Sequence, residues 1–233
     1  MENKRGPFTR TDFLVGTAIT TGLGASLRAS AEAAPPSAAT TPEAAFRALK
    51  AGNRRFLSGN PTCGDLSNRR AQLVGGQSPF AIIVSCSDSR VPVETVFDQE
   101  PGHIFGVRVA GNFIDPAGLG SIEYAVAVLK SPFILVLGHR ECGAVKAAIE
   151  NVKSGKTFPG HIQTLVDALA PSAKKSKSNA GNWLENAIAQ NVRDTIASLP
   201  GRSKIVGDAV SEGKLNVAGG VYDLATGRVK LLD

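Results

Sequence analysis

Phe80-Ala81-Ile82-Ile83-Val84 and Phe133-Ile134-Leu135-Val136-Leu137 decide how this chain folds. Each is a short run without a polar side chain. Each stops at a turn-forming stretch, Ser85-Cys86-Ser87-Asp88 after the first and Gly138-His139 after the second. A strand wet on one face alternates apolar and polar residues, whereas one that is apolar throughout is covered on both faces. Both runs therefore read as buried strands. Between and beyond them the period changes. Ile104 to Val109 reads as a further strand closed by Gly111. Leu119 to Leu129 is apolar at helical spacing up to Lys130, and Ala144 to Ile149 continues as helix. Helical segments are expected around His161–Leu169 and Trp183–Leu199. Late strands are expected at Val217–Leu224 and Val229–Leu232, flanking the turn Ala225-Thr226-Gly227. Strand alternates with helix, so the expected class is α/β, a mostly parallel central sheet flanked by helices. In such sheets ligands gather beyond the carboxyl ends of the strands.

Upstream, Thr41-Pro42-Glu43 supplies an N-cap, a first-turn proline and an early acid, and Phe46, Leu49, Phe56 and Leu57 follow at near-helical spacing. A helix to about Leu57, ending at Gly59, is expected. Before it, residues 2–13 are charged and polar. Leu14 to Leu27 then carry no charge over 14 residues, and Ala29-Ser30-Ala31 and Ala31-Glu32-Ala33 have the small-x-small form of a cleavage site. About 20 apolar residues are needed to cross a bilayer, so this run is no stable membrane anchor. The expectation is an export signal peptide over 1–33, a linker over 34–40 and a folded domain over 41–233. The location is then periplasmic or secreted, or cytoplasmic if the segment is not a working signal. Thr9-Arg10-Thr11-Asp12-Phe13-Leu14 resembles a twin-arginine signal, with Thr11 where the second Arg belongs.

The 233 residues suffice for one domain with a proper core, and three Cys exclude a disulfide-framework scaffold. Aromatics make up 6% of the chain, which argues against a stacking platform for single-stranded nucleic acid. The formal charge is +6. Its densest run, Lys174-Lys175-Ser176-Lys177, follows Pro171 and precedes Ser178, Asn179 and Gly181 without interleaved aromatics. It reads as a solvated loop rather than a patch for nucleic acid or anionic lipid.

Chemistry concentrates where the two buried strands end. Cys86 follows the first; His139 and Cys142 follow the other, three apart at a strand-to-helix junction where both can face one point. Two thiolates and one imidazole suit zinc. A Cys₂His set with a vacant fourth position is a catalytic pattern, whereas a closed set of four is structural. A His-x-x-Cys alone is weak evidence. A second cysteine at an equivalent strand end, trailed by Asp88 and Arg90, makes the joint pattern specific. A Cys86–Cys142 disulfide is the competing reading, and it leaves His139 and Asp88 idle. Arg90 can hold Asp88 by a forked contact and keep it off the metal, leaving the fourth position to water. Zinc lowers the pKa of such a water to roughly 7.

Cys-x-Asp-x-Arg followed about fifty residues later by His-x-x-Cys resembles the hallmark of the β-class carbonic anhydrases. Pro101-Gly102, Phe105, Arg108, Ala110-Gly111-Asn112, the run Ser121 to Val126 and Gly138-His139 also look like family positions. The resemblance implies a zinc lyase that converts CO₂ and water to bicarbonate and a proton through a zinc-bound hydroxide, with one Zn²⁺ per chain. It makes Cys86, His139 and Cys142 the zinc ligands and Asp88 and Arg90 the catalytic dyad. Asp88 becomes a conditional fourth ligand in an inactive form. Phe105, Ala110 and Tyr124 match positions that line the substrate pocket. The implied fold adds an antiparallel edge strand to the parallel sheet. The implied assembly is a homodimer or higher homo-oligomer whose amino-terminal helix, Thr41 to Leu57 here, embraces the partner.

His103 and His161 are candidates for relaying the released proton on residue type alone. Cys63 has no family role and reads as a free thiol. Three rival readings accompany this one. The same site could hydrolyse carbonyl sulfide or carbon disulfide. The chain could be a non-catalytic zinc module, against which the Asp88–Arg90 pair speaks. Or Gly118-Leu119-Gly120 could belong to a nucleotide-binding domain, although no strand runs into it and no third glycine follows at the required spacing.

Overall fold

In a computed structural model, residues 39–63 and 67–232 are described. The expected export signal over 1–33 lies outside the described residues, as does all of the expected linker except Ala39 and Thr40. Ala39 is already buried in the core, so the packed domain starts slightly ahead of the expected boundary.

The elements run α1 (Pro42–Leu57), α2 (Ser67–Gln72), β1 (Ala81–Ser85), α3 (Val93–Val96), β2 (Ile104–Arg108), α4 (Pro116–Ala127), β3 (Phe133–His139), α5 (Gly143–Ser154), α6 (Ile162–Lys175), α7 (Trp183–Arg202), α8 (Lys204–Ser211), β4 (Asn216–Tyr222) and β5 (Val229–Leu232). The sheet order is β2-β1-β3-β4-β5. β1 pairs in parallel with β2 and β3, β3 in parallel with β4, and β5 closes the edge antiparallel to β4.

The unbroken apolar runs follow from this layering. Successive strand residues point to opposite faces. Ala81, Ile83, Phe133, Leu135 and Leu137 enter a cluster with Leu49 of α1, Val93 and Val96 of α3, and Phe97. Ile82, Val84, Ile134 and Val136 enter another with Ile122 of α4, Val192 and Leu199 of α7, and Val206 of α8. Both faces are covered, so neither leaves room for polar alternation. A third cluster joins Cys86 and Cys142 to Val145 of α5, Leu169 of α6 and Ile188 of α7 around the carboxyl ends of the strands.

Two expectations are corrected. The lysines of the Lys174–Lys177 run are solvent-exposed as expected, but the run is only partly a loop, because Lys174 and Lys175 end α6 and Ser176 and Lys177 form the turn after it. α6 passes through Pro171 to Lys175, because it buries Val166, Leu169, Ser172 and Ala173 and that packing outweighs the lost backbone donor. Lys175 pairs with Asp194 at 2.7 Å, and the Lys177 ammonium lies over the Trp183 ring. Likewise α7 passes through Pro200 to Arg202, and α8 follows behind the Ser203 cap. α1, the helix expected to embrace a partner, also packs on its own chain. Ala45 and Leu49 are buried in the core of the same chain, and the Asn53 amide donates to the carbonyls of Val96 and Gly227, both at 3.0 Å.

α1 approaches α3 through Gly52, where a Cβ would lie 1.6 Å from the Phe97 carbonyl oxygen. Alanine is the better helix former by roughly 1 kcal/mol. Gly52→Ala is nevertheless expected to lower the unfolding free energy, by about 2 kcal/mol or more, because the backbone collision forces α1 off the sheet. Denaturant titration checks this, and an unchanged or raised midpoint would contradict the packing.

Candidate metal centre

The strand order reverses at β1, which has β2 on one side and β3 on the other. Beyond the carboxyl ends of β1 and β3 there is therefore a crevice between diverging connections. Register sets what lines it. Ser85 stands opposite Leu137, so Cys86 and His139 emerge from neighbouring strands within a residue or so of the same level. Glu141 turns the chain with φ 58°, and Cys142 occupies the N-cap of α5. One ligand atom from each of Cys86, His139 and Cys142 lies within 4.8 Å of the others, and all three residues are buried. Among the described residues this is the group of Cys, His, Asp or Glu side chains that could hold a metal ion.

The imidazole is set for the task. His139 Nδ1 lies 2.9 Å from the Arg140 carbonyl, which can only accept, so Nδ1 carries the proton and Nε2 the lone pair. Nε2 is buried and has no hydrogen-bond partner. A buried unpartnered lone pair beside two thiols is what a metal ligand looks like before the ion is added. Cys86 and Cys142 are free thiols rather than a disulfide. The Cys86 thiol is lowered to about 4 by the hydrogen bond from Cys142, with help from His139 and the Gly111 N–H. Cys142 is raised by that same partner and by burial. Two sulfurs and one imidazole nitrogen are a donor set whose chemistry fits zinc.

Asp88 stands beside this group. Its Oδ1 accepts from Arg90 Nε at 2.9 Å and from the Arg90 backbone N–H at 3.0 Å, and its Oδ2 accepts from Nη2 at 2.7 Å. Oδ2 is 3.8 Å from His139 Nε2. The Arg90 guanidinium holds this carboxyl well below the usual carboxylate range. In this arrangement Asp88 is committed to Arg90.

Other sequence-predicted residues fall elsewhere. Ala110 is half-buried, next to Gly111, whose N–H donates to Cys86 Sγ at 3.3 Å. Phe105 pairs with Ile82, four residues before Cys86, and so sits about 13 Å down the strand from the cluster. Its ring contacts Tyr124, with centroids 6.3 Å apart, and Tyr124 is 49% exposed. His103 precedes β2 and packs on Phe80, at the amino ends of the strands. A whole strand, roughly 16 Å, separates it from the site, so it relays no proton there. His161 lies just ahead of α6 and is exposed. The Cys63 N–H donates to Asp98, and its thiol, raised by burial, contacts the Gln99 carbonyl.

The sequence did not point to the work of Arg108. From the end of β2 its Nε donates to the Cys86 carbonyl at 3.0 Å and its Nη2 to the Asp88 carbonyl at 2.8 Å, bracing the loop that bears both side chains. Arg140 was also missed. Its carbonyl fixes the His139 tautomer, and its guanidinium is held by Asp223 at 3.0 Å and by Glu185.

Residues 81–229 match a family model described as "Carbonic anhydrase". The chain is 43% identical over 195 residues to carbonic anhydrase 2 of Mycobacterium tuberculosis, covering 83% of this chain and 94% of that one. It is 42% identical over 193 residues to a carbonic anhydrase of Mycolicibacterium smegmatis, covering 82% and 94%. Among solved structures it resembles a tetrameric β-carbonic anhydrase of Sordaria macrospora, with a TM-score of 0.63 and 26% identity over 80% of this chain and 96% of the other. A Coccomyxa β-carbonic anhydrase gives a TM-score of 0.62 and 29% identity over 72% and 86%.

Metal analysis of the purified protein should find one zinc per chain. Cys86→Ala and His139→Ala should each lose it while the helical circular-dichroism signal stays. Full zinc retention in either variant would contradict the ligand set.

Proposed function

The chain belongs to the β-class carbonic anhydrase family, and we propose from that premise that Cys86, His139 and Cys142 hold one zinc ion per chain and run the reversible hydration of CO₂ to bicarbonate and a proton. The observation that carries this reading is the convergence of the three buried donors within 4.8 Å, with His139 Nε2 left unpartnered. A zinc ion bound there supplies Lewis acidity, which brings the pKa of a coordinated water to roughly 7.

The chain's own residues do the rest. Asp88 is ionised and faces the site, so it accepts a hydrogen bond from the attacking water and aims the remaining lone pair at the CO₂ carbon. Arg90 occupies both carboxylate oxygens and so draws Asp88 away from the ion that Cys86, His139 and Cys142 would hold. Because Arg90 holds Asp88 well below the usual carboxylate range, Asp88 orients rather than stores the proton. The proton leaves to solvent, which the Asp88 side chain touches with 18% of its surface. Arg108 keeps Cys86 and Asp88 in one frame by bonding both their carbonyls.

The reading extends to assembly. Among the described residues no strand neighbours the outer edge of β2, and the Phe105–Tyr124 pair lies on this side of the sheet, as does Val128, which is 59% exposed. A second copy docked along this edge gives a homodimer in which Phe105 and Tyr124 line the neighbour's pocket rather than their own. That arrangement reconciles their substrate-lining role with their distance from the cluster in this chain.

Asp88→Asn tests the chemistry. With zinc content unchanged, kcat/KM for CO₂ hydration should fall by roughly a hundredfold; undiminished turnover would sink the assignment. Tyr124→Glu tests the assembly. Light scattering should show its dimer weakened towards monomer, and an oligomer as tight as wild type would place the interface elsewhere.

A further inference from the structure

We propose that Asn191, on α7, is a positioning residue for Cys86, acting through the backbone of Gly111. The inference rests on the metal reading above and concerns how one of its ligands is held. Asn191 is 4% exposed, and its Nδ2 donates to the Gly111 carbonyl at 2.8 Å across a sequence separation of eighty residues. A buried amide must spend its donors within the protein, and this one is spent on a loop rather than on its own helix. Gly111 in turn donates its N–H to Cys86 Sγ at 3.3 Å. Asn191 thus orients the residue that orients the sulfur.

The loop needs such an anchor. Gly111 has φ 86° and Asn112 has φ 47°, both left-handed, so the turn after β2 is held in a conformation that most residues avoid. On one side Leu169 of α6 closes in, and a Cβ on Gly111 would lie 2.5 Å from its Cδ1. On the other side stands α7, locked to the sheet by the neighbouring Val192, which is fully buried. Leu169 packs close against Gly111 and the Asn191 amide holds its carbonyl, so the residue whose N–H meets Cys86 is fixed from two elements. An N–H donor to a thiolate stabilises the sulfur lone pairs and fixes their aim, which tunes both metal affinity and the electron density given to the ion.

The test uses the full chain with zinc or cobalt as probe. In Asn191→Leu, similar in size and without the amide, the Kd for zinc from chelator competition should rise about tenfold or more. The sulfur-to-cobalt charge-transfer band of the cobalt form should move to lower energy, because the Gly111 N–H is no longer held towards the sulfur. A purely structural asparagine would lower the thermal midpoint of the metal-free protein and leave that band in place, and this result overturns the proposal. So does a variant matching wild type in both readouts. Should Asn191→Leu fail to fold, Asn191→Ser, too short to reach Gly111 directly, is read by the same two measurements with the same expected changes. A wild-type protein that takes up neither metal would remove the metal reading and this proposal together, whereas normal uptake with unmoved variants removes this proposal alone.

Discussion

The structure hangs on the adjacency of β1 and β3. Two parallel strands side by side at the reversal of strand order bring Cys86 and His139 out at nearly the same level, and the turn into α5 swings Cys142 in to meet them. No loop has to reach far. The ligands stand on the ends of the most buried strands in the molecule, every residue of β1 and β3 being buried. That rigidity suits a metal site, in which small displacements of a donor cost affinity.

Around the three donors the protein builds a collar of hydrogen bonds from separate elements. β2 contributes Arg108, the loop after β2 contributes the Gly111 N–H, and the turn after β3 contributes the Arg140 carbonyl. Asp88 would otherwise be the natural competitor for the metal, and it is drawn sideways by the Arg90 fork. The balance of charge follows. Asp88 has a cationic partner in Arg90, and the imidazole is oriented by the Arg140 carbonyl.

The same economy explains the sheet's outer parts. Among the described residues no strand neighbours β2 on its far side, and its exposed aromatic pair sits too far along the strand to serve its own cluster. α1 covers the opposite face from within the same chain, seated by Gly52 and pinned by Asn53. The lysines that looked like a free cationic run end a helix and find partners there, because α6 gains more from burying Leu169 and Ala173 than it loses at Pro171.

By itself the sequence determined the layered parallel sheet, since runs such as Ile82 to Val84 and Ile134 to Leu137 are stable only between two covering layers. It also singled out the candidate site, because Cys86, Asp88, Arg90, His139 and Cys142 fall directly after those runs, where local pattern and chemistry coincide. The tertiary structure alone decided how they are held. Gly111, Asn191 and the Arg140 carbonyl act through backbone groups or across eighty residues of chain, and a hydrogen bond between distant segments leaves no period or spacing behind. It also decided where helices stop. Pro171 and Pro200 are local signals to end a helix, and burial of a whole helix face is a larger energy that only the packed molecule reveals.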